Sequence, residues 1–472
     1  MSDVAPSAGA GIDSPGQSIG RHAPYIFWIM FFINLLNYMD RYVFTGAANV
    51  IGHELHLSLD QIGFIASAFL VVYTLATLPL GAWADRAKRK NVIAICVALW
   101  SIVTALTALA NSFLTLFLTR MILGIGEAGY YPAGTALLSD CYQRSRRAQI
   151  MSRWTVGSVV GLMIGFIMGG EVAGIGFGYW RYAFLFTGIP GLILAFLVWR
   201  MHEPRRNQAD EEAFAANPEE EIGMAADTET FHTIVVPKDF LRQLATLLRI
   251  RTMVVLIMMQ VFAFYALGAG VSFLPIYLQQ KDTLDLSSGT ASLLSGGVIV
   301  VAGIVGLFIG GYLADALSRR YPGARILVSG IGFLLSAPAY ALTVLIHQPI
   351  GFVICFFITV VMLYIYNGPS TAATQDVAPA ALRASAVAIS LLIAHLLGDA
   401  FAPSIIGVLA TAFDPTHGQH FANNVAGGDL SLAFLVTCVP VLIIAGLIGI
   451  FGARWMKGDV IAAQRADRLM IG

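Results

Sequence analysis

Apolar residues run along this chain in long blocks with short polar interruptions. A helix needs about 20 mostly apolar residues to cross a hydrocarbon core of about 30 Å. Blocks of that length lie near residues 24–48, 61–83, 90–110, 113–139, 149–171, 181–200, 252–279, 289–314, 325–346, 349–375, 383–411 and 430–456. Lipid offers backbone polar groups no hydrogen-bond partner, so each block is predicted to be an α-helix. A β-barrel would show shorter segments of alternating polarity, and the blocks do not fit that pattern.

Basic residues fall on alternate loops. Arg86, Lys88, Arg89 and Lys90 follow the second block, and Arg144, Arg146 and Arg147 the fourth. Arg319, Arg320 and Arg325 follow the eighth, and Arg454 and Lys457 close the twelfth. The opposite loops, near 49–60, 111–112, 346–349 and 412–429, hold no Lys or Arg; only Arg181 and Lys281 stand on that side. Cytoplasmic loops carry the Lys and Arg excess. The alternation therefore predicts an even number of spans, with both termini in the cytoplasm.

Residues 1–23 are rich in Ser, Ala, Gly and Pro and lack a basic segment followed by an apolar core. They read as a disordered cytoplasmic tail and not as a cleaved leader. The polar stretch 201–236, with acidic runs at Asp210–Glu212 and Glu219–Glu221, separates six spans from six. After it, residues 237–251 space Phe240, Leu241, Leu244, Leu247 and Leu248 along one helical face, as in a helix lying on the inner leaflet. The expected organisation is a tail (1–23), a six-helix half (24–200), a linker with an amphipathic helix (201–251), a second half (252–456) and a second cytoplasmic tail (457–472).

Composition narrows the function. The chain is 57% hydrophobic and 12% charged, against roughly 25% charged for a soluble domain. That excludes a soluble enzyme and a disordered chain. The 28 Lys and Arg balance 28 Asp and Glu, which gives no sign of a nucleic-acid partner. Cys96, Cys141, Cys355 and Cys438 form neither a disulfide framework nor a CxxC motif. The pairs His53/His56 and His417/His420 lack a full ligand set, so no metal or cofactor is expected. No GxxxxGK[ST] phosphate loop points to ATP-driven work. No nucleophile and base stand together as an intramembrane enzyme would need.

A short repeat marks the two halves. Gly81-Ala82-Trp83-Ala84-Asp85 ends the second block and Gly311-Tyr312-Leu313-Ala314-Asp315 the eighth, both before basic residues. Internal repeats with a site between them are a transporter signature. The chain resembles the major facilitator superfamily along nearly its whole length. The family's loop motif G-x-x-x-D-R-x-G-R-K is matched by Gly81, Asp85, Arg86, Arg89 and Lys90, with Lys88 in place of a glycine. The second copy keeps Gly311, Asp315, Arg319 and Arg320, with Ser318 for glycine. Arg120, Gly124 and Gly126 match the fourth-span pattern R-x-x-x-G-x-G.

Within that family the chain resembles the spinster-like members, through Asn37-Tyr38-Met39-Asp40-Arg41-Tyr42, Gly126-Glu127-Ala128 and His395-Leu396-Leu397-Gly398-Asp399-Ala400. The first two blocks also resemble the anion–cation symporters, which carry organic acids. The third block favours the spinster-like branch. This resemblance implies an all-α membrane protein of twelve helices in two pseudo-symmetric halves. It also implies proton-linked alternating access and an amphipathic lipid-derived anion of the lysophospholipid or sphingoid phosphate type. The alternative is a proton-coupled sugar-acid symporter of the same fold. Protons, membrane lipids and the small substrate are the expected partners. A monomer in a bacterial inner membrane is expected.

Charges inside a membrane cost several kcal/mol and are functional candidates by default. Six stand inside spans: Asp40, Arg41, Arg120, Glu127, Arg153 and Asp399. Asn34, Asn37 and Arg41 share a face of the first span, with Asp40 at its edge, as on a helix lining a wet cavity. Arg120 and Glu127 are two turns apart, roughly 10 Å, and Asp40 is expected at the depth of Arg120. Asp40, Glu127 and Asp399 are the candidate proton carriers. Asn37, Arg41, Arg120, Glu127 and Arg153 are the candidate substrate contacts. Asp85, Arg86, Arg89, Asp315 and Arg319, at inner helix ends, are the candidate gate. Gly157, Gly161, Gly165 and Gly169 form a small-residue seam on span five. Asn367-Gly368-Pro369 predicts a break in span ten.

Overall fold

The computed structural model describes residues 22–206, 208–216, 240–379, 382–416 and 418–469. Among these residues every regular element is helical. The first half comprises α1 (Ala23–Glu54), α2 (Leu59–Arg86), α3 (Arg89–Thr107), α4 (Phe113–Ala128), α5 (Tyr130–Cys141), α6 (Arg144–Gly174) and α7 (Trp180–Arg200). After it come the short helices α8 (Gln208–Ala216) and α9 (Phe240–Leu248). The second half comprises α10 (Arg251–Leu278), α11 (Ser288–Ser318), α12 (Ala324–Leu345), α13 (Pro349–Tyr364), α14 (Asn367–Val377), α15 (Arg383–Ala394), a π-helical turn (His395–Asp399), α16 (Ala402–Phe413), α17 (Gln419–Ala422) and α18 (Gly427–Gly452). Helix α19 (Met456–Leu469) follows.

Eleven segments are long and apolar enough to cross a membrane, with α4–α5, α13–α14 and α15–α16 each making one. Helix α1, 32 residues long, is the twelfth span; Asn34, Asn37, Asp40 and Arg41 lower its apolarity. The break between α13 and α14 falls at Ile365–Tyr366, beside Pro369, which has no N–H to continue the ladder.

The tightest pairing in the first half is α1 on α6. Gly157, Gly161, Gly165 and Gly169 lie against the carbonyls of Phe31, Leu35, Met39 and Val43, one turn apart. Any side chain there would strike the α1 backbone. Gly161→Ala is therefore expected to lower the unfolding midpoint of the detergent-solubilised protein, at a cost of roughly 1–3 kcal/mol. Gly311→Ala is the control, because nothing stands within 4 Å of a Cβ placed there.

The two halves meet at the face opposite the chain's ends, here the far face. Helix α2 packs on α16, where the Asp60 N–H donates to Thr411 Oγ1 (3.2 Å) and the Ser404 N–H to Ser67 Oγ (3.0 Å). Helix α1 meets α10 through Asn49 Nδ2 to Gln279 Oε1 (3.1 Å) and Gln280 Nε2 to Asn49 Oδ1 (3.3 Å). Helix α6 meets α11, with Gly170 against Ser292 and Phe166 against Gly296. At the terminal face, where α1 begins and α18 ends, the ion pairs resolved among the described residues stay within their own half or its flanking segments. Side-chain hydrogen bonds join the halves at the far face, and among the described residues no ion pair joins them at the terminal one.

Two polar stretches fold further than their sequence suggests. In the linker, Arg147 pairs with Asp210 (2.6 Å), and Arg206 donates to the Asp85 carbonyl (2.5 Å). The α8 segment therefore lies on the first half. Most of residues 457–472 form α19, and Asp459 Oδ2 accepts from the Thr252 N–H (2.8 Å) at the start of α10. The expected N-terminal tail through residue 21, the acidic run Glu219–Glu221 and residues 470–472 lie outside the described residues.

Candidate functional site

A cavity of about 270 Å³ lies between the halves. The first half contributes Tyr38, Arg41, Tyr42, Phe44, Phe69 and Arg120 to its wall. The second contributes Phe264, Leu267, Tyr364, Asn367, His395 and Asp399. The wall is mostly apolar and aromatic, with a few charged groups converging on it.

Arg41 reaches from α1 to α4, where Nη2 pairs with Glu127 Oε2 at 2.9 Å. Its guanidinium also lies over the rings of Tyr73 (4.7 Å), Phe69 (5.1 Å) and Tyr38 (5.3 Å). Glu127 is fully buried and Arg41 keeps only a small exposed edge. Burial makes this pair sensitive to the charge of either partner.

Arg120 is different. Its guanidinium is sandwiched by Phe44 (4.5 Å) and Phe184 (5.2 Å). Its Nε and Nη2 are buried with no hydrogen-bond partner. A buried donor without an acceptor costs about 1–3 kcal/mol. An unmatched, cavity-facing guanidinium is chemically a receptor for carboxylate or phosphate oxygens.

Asp40 departs from expectation. It is 1% exposed and does not line the cavity. It points from α1 toward α3 and α7, where Thr104 Oγ1 donates to its Oδ2 at 3.4 Å. It lies within electrostatic reach of Arg120 and Glu127 but makes no ion pair with Arg120. Successive helical residues point about 100° apart, so Arg41 facing the cavity turns Asp40 into the first half. Asn37 is likewise buried, 5% exposed and near Glu127, outside the cavity wall. Asn34 faces α6, donating to the Trp154 carbonyl (2.9 Å) and Ser158 Oγ (2.7 Å). The expected wet stripe on α1 thus divides between the cavity and the helix seams.

Asp399 does face the cavity. The π turn His395–Asp399 carries one extra residue, with the Ala400 N–H donating to the His395 carbonyl five residues back (3.0 Å). His395 Nδ1 lies 2.9 Å from Asp399 Oδ2, and its ring stands edge-on to Phe264 (4.7 Å). Such bulges recur at functional sites because they redirect side chains. Arg153 is exposed on α6 near the terminal face and lies outside the cavity wall.

The expected gate residues lie at the terminal face without joining the halves. Asp85, Arg86, Asp315 and Arg319 are exposed. Arg89 pairs with Asp140 on α5, and Arg325 pairs with Asp376 on α14. Each aspartate follows its arginine by the same 51-residue interval. That interval is a second internal repeat, and it is the sequence signal that would have revealed Asp140 and Asp376. The aromatic ring set around Arg41 and the hydroxyl beside Asp40 carry no comparable sequence signal.

At the far face, His420 Nδ1 contacts Asp429 Oδ2 (2.8 Å) and lies 3.4 Å from Asp414 Oδ1. The Asp429 hydrogen bond holds the His420 imidazole above its ordinary value. Asp414 already accepts the N–H groups of Thr416, Gly418 and His420. The cluster reads as a loop clasp.

The family model described as Major Facilitator Superfamily matches residues 30–403. Protein spinster of Drosophila melanogaster is 25% identical over 411 residues, which are 85% of this chain and 64% of that protein. The chain therefore spans just under two thirds of that relative's length. The sphingosine-1-phosphate transporter SPNS2 of Danio rerio is 25% identical over 446 residues, covering 91% of this chain and 84% of that protein. Among solved structures, a bacterial homolog to the human lysosomal transporter Spinster, in an inward-facing and unoccupied conformation, aligns with a TM-score of 0.79. It is 24% identical, over 93% of this chain and 98% of its own. Two six-helix halves around a charged central cavity, and a family match over most of the chain, lead to one assignment: the protein belongs to the major facilitator superfamily and is a multi-pass membrane transporter similar to the spinster proteins.

Proposed function

We propose that this transporter moves an amphipathic lipid-derived anion, of the lysophospholipid or sphingoid phosphate type, in exchange with or together with protons. Arg120 binds the anionic head group. Its guanidinium on the cavity wall, with two buried donors left without a partner, is the observation that carries the reading. The aromatic and aliphatic walls take the apolar chain. The Danio rerio relative, a sphingosine-1-phosphate transporter, agrees with this class.

Glu127 is the principal proton carrier in this reading. When it is ionised it holds Arg41; when protonated it releases Arg41 to the anion. Asp40, close to both Arg120 and Glu127, and the His395–Asp399 pair are the further titrating groups. The terminal face is cytoplasmic, following the Lys and Arg bias, in a bacterial inner membrane. Asp85, Arg86, Arg89, Asp315 and Arg319 then act when that face closes.

The test is equilibrium binding to purified protein of a sphingoid phosphate, a lysophospholipid and a hexuronate between about pH 5 and 8. Saturable lipid binding that tightens as pH falls, with the hexuronate inert, is expected. Binding of the hexuronate alone would transfer the protein to the organic-acid reading.

A further inference from the structure

The central cavity is not the only concave surface. A groove of about 950 Å³ lies in the second half, between the terminal-face ends of α11 and α12. Leu313, Ile331 and Leu335 line it, with Met362 and Ile365 among its deeper residues. Leu313, Ile331 and Leu335 are all exposed. The groove ends at Arg319 and Arg320, just past the last residue of α11. Both arginines are exposed and make no ion pair among the described residues, whereas neighbouring Arg325 is engaged by Asp376.

The first half offers a contrast. There Arg206 donates to the Asp85 carbonyl, and the Arg89 N–H donates to Glu203 Oε1 (2.6 Å), so the linker covers the equivalent helix ends. The described residues provide no such cover beside Arg319 and Arg320.

We propose that this groove is a binding site for one anionic phospholipid of the surrounding leaflet. Its acyl chain lies along Leu313, Ile331 and Leu335, and its phosphate meets Arg319 and Arg320. Three observations combine here: a concave apolar wall, its position at the end of a membrane span, and two cations at its polar end that make no ion pair among the described residues, beside Asp315, which faces Arg325. An apolar surface alone would accept any lipid. Surface arginines attract anionic head groups by roughly 1 kcal/mol each, which supplies the selectivity. The site is separate from the central cavity and shares no residue with it.

Delipidated full-length protein in detergent would be titrated with phosphatidylglycerol and phosphatidylcholine of matched chains, and binding read by native mass spectrometry. Phosphatidylglycerol is expected to bind about thirtyfold more tightly. The double variant Arg319→Gln/Arg320→Gln is expected to erase that preference while keeping weak binding of both lipids. Leu335→Trp, which fills the groove, is expected to weaken both. Unfolding midpoints of the variants guard against misfolding. Equal binding of the two lipids, or an unchanged preference in the double variant, would overturn the proposal. So would a preference that emerges only after Glu219, Glu220 and Glu221 are changed to Gln, because the arginines would then belong to the linker.

Discussion

Arg120→Gln is expected to reduce affinity for the anionic substrate by about a hundredfold or more, since hydrogen bonds to charged groups contribute roughly 1.5–3 kcal/mol each. Two of its donor nitrogens stand buried without acceptors. The guanidinium lines the cavity, and in the proposed bound state it turns toward a phosphate or carboxylate. The same change removes an unmatched buried cation, so the unfolding midpoint is expected to stay level or rise. That opposite movement separates a binding role from a structural one. A packing residue would lose stability and affinity together. Arg120→Lys is expected to recover only part of the affinity, because an ammonium keeps the charge but loses the planar fork. Isothermal titration and thermal unfolding on the three proteins would check this. Undiminished binding in Arg120→Gln would remove Arg120 from the site.

Glu127→Gln is expected to abolish the pH dependence of anion binding and proton-driven accumulation, while leaving exchange intact. In the parent protein the Glu127 carboxylate holds Arg41 at 2.9 Å. In the proposed mechanism, protonation as pH falls removes the charge that holds the arginine, and Arg41 becomes available to the anion. On the same proposal, the carboxylate recaptures Arg41 as pH rises, and the anion is expected to bind less tightly. Glutamine is nearly isosteric and permanently neutral, so the variant should show the low-pH affinity at every pH. Uptake into proteoliposomes with and without a pH gradient would measure it. A retained pH profile in Glu127→Gln, lost instead in Asp40→Asn, would move the proton to Asp40.

Much of this architecture was legible in the chain. Intramembrane backbone must satisfy its own hydrogen bonds, so apolar block length alone yields the spans. The repeat at Gly81–Asp85 and Gly311–Asp315 marks corresponding helix ends in the two halves. The glycines of α6 do line a close helix seam. The rarity of charge in lipid also singled out Arg41, Arg120, Glu127 and Asp399, which lie in or against the cavity. The same rule singled out Arg153, which lies exposed outside the cavity wall, as a long cationic side chain near a helix end can stay at the membrane surface.

Partnership was not legible. Asp40 and Arg120 sit at matching depths in the sequence, yet Arg41 takes Glu127, 86 residues away. Helical phase fixes only that Asp40 and Arg41 diverge. Which of them faces the cavity depends on how α1 is rotated, and its packing on the glycines of α6 bears directly on that rotation. The π turn at His395–Asp399 is likewise invisible in the pattern, since one inserted residue leaves composition unchanged while re-aiming the side chains beyond it. The sequence by itself determined which segments enter the membrane and which charges they carry there. The tertiary structure decided which charges meet, which stay unpaired and which face the open cavity, because those depend on contacts between helices that local hydrophobicity does not encode.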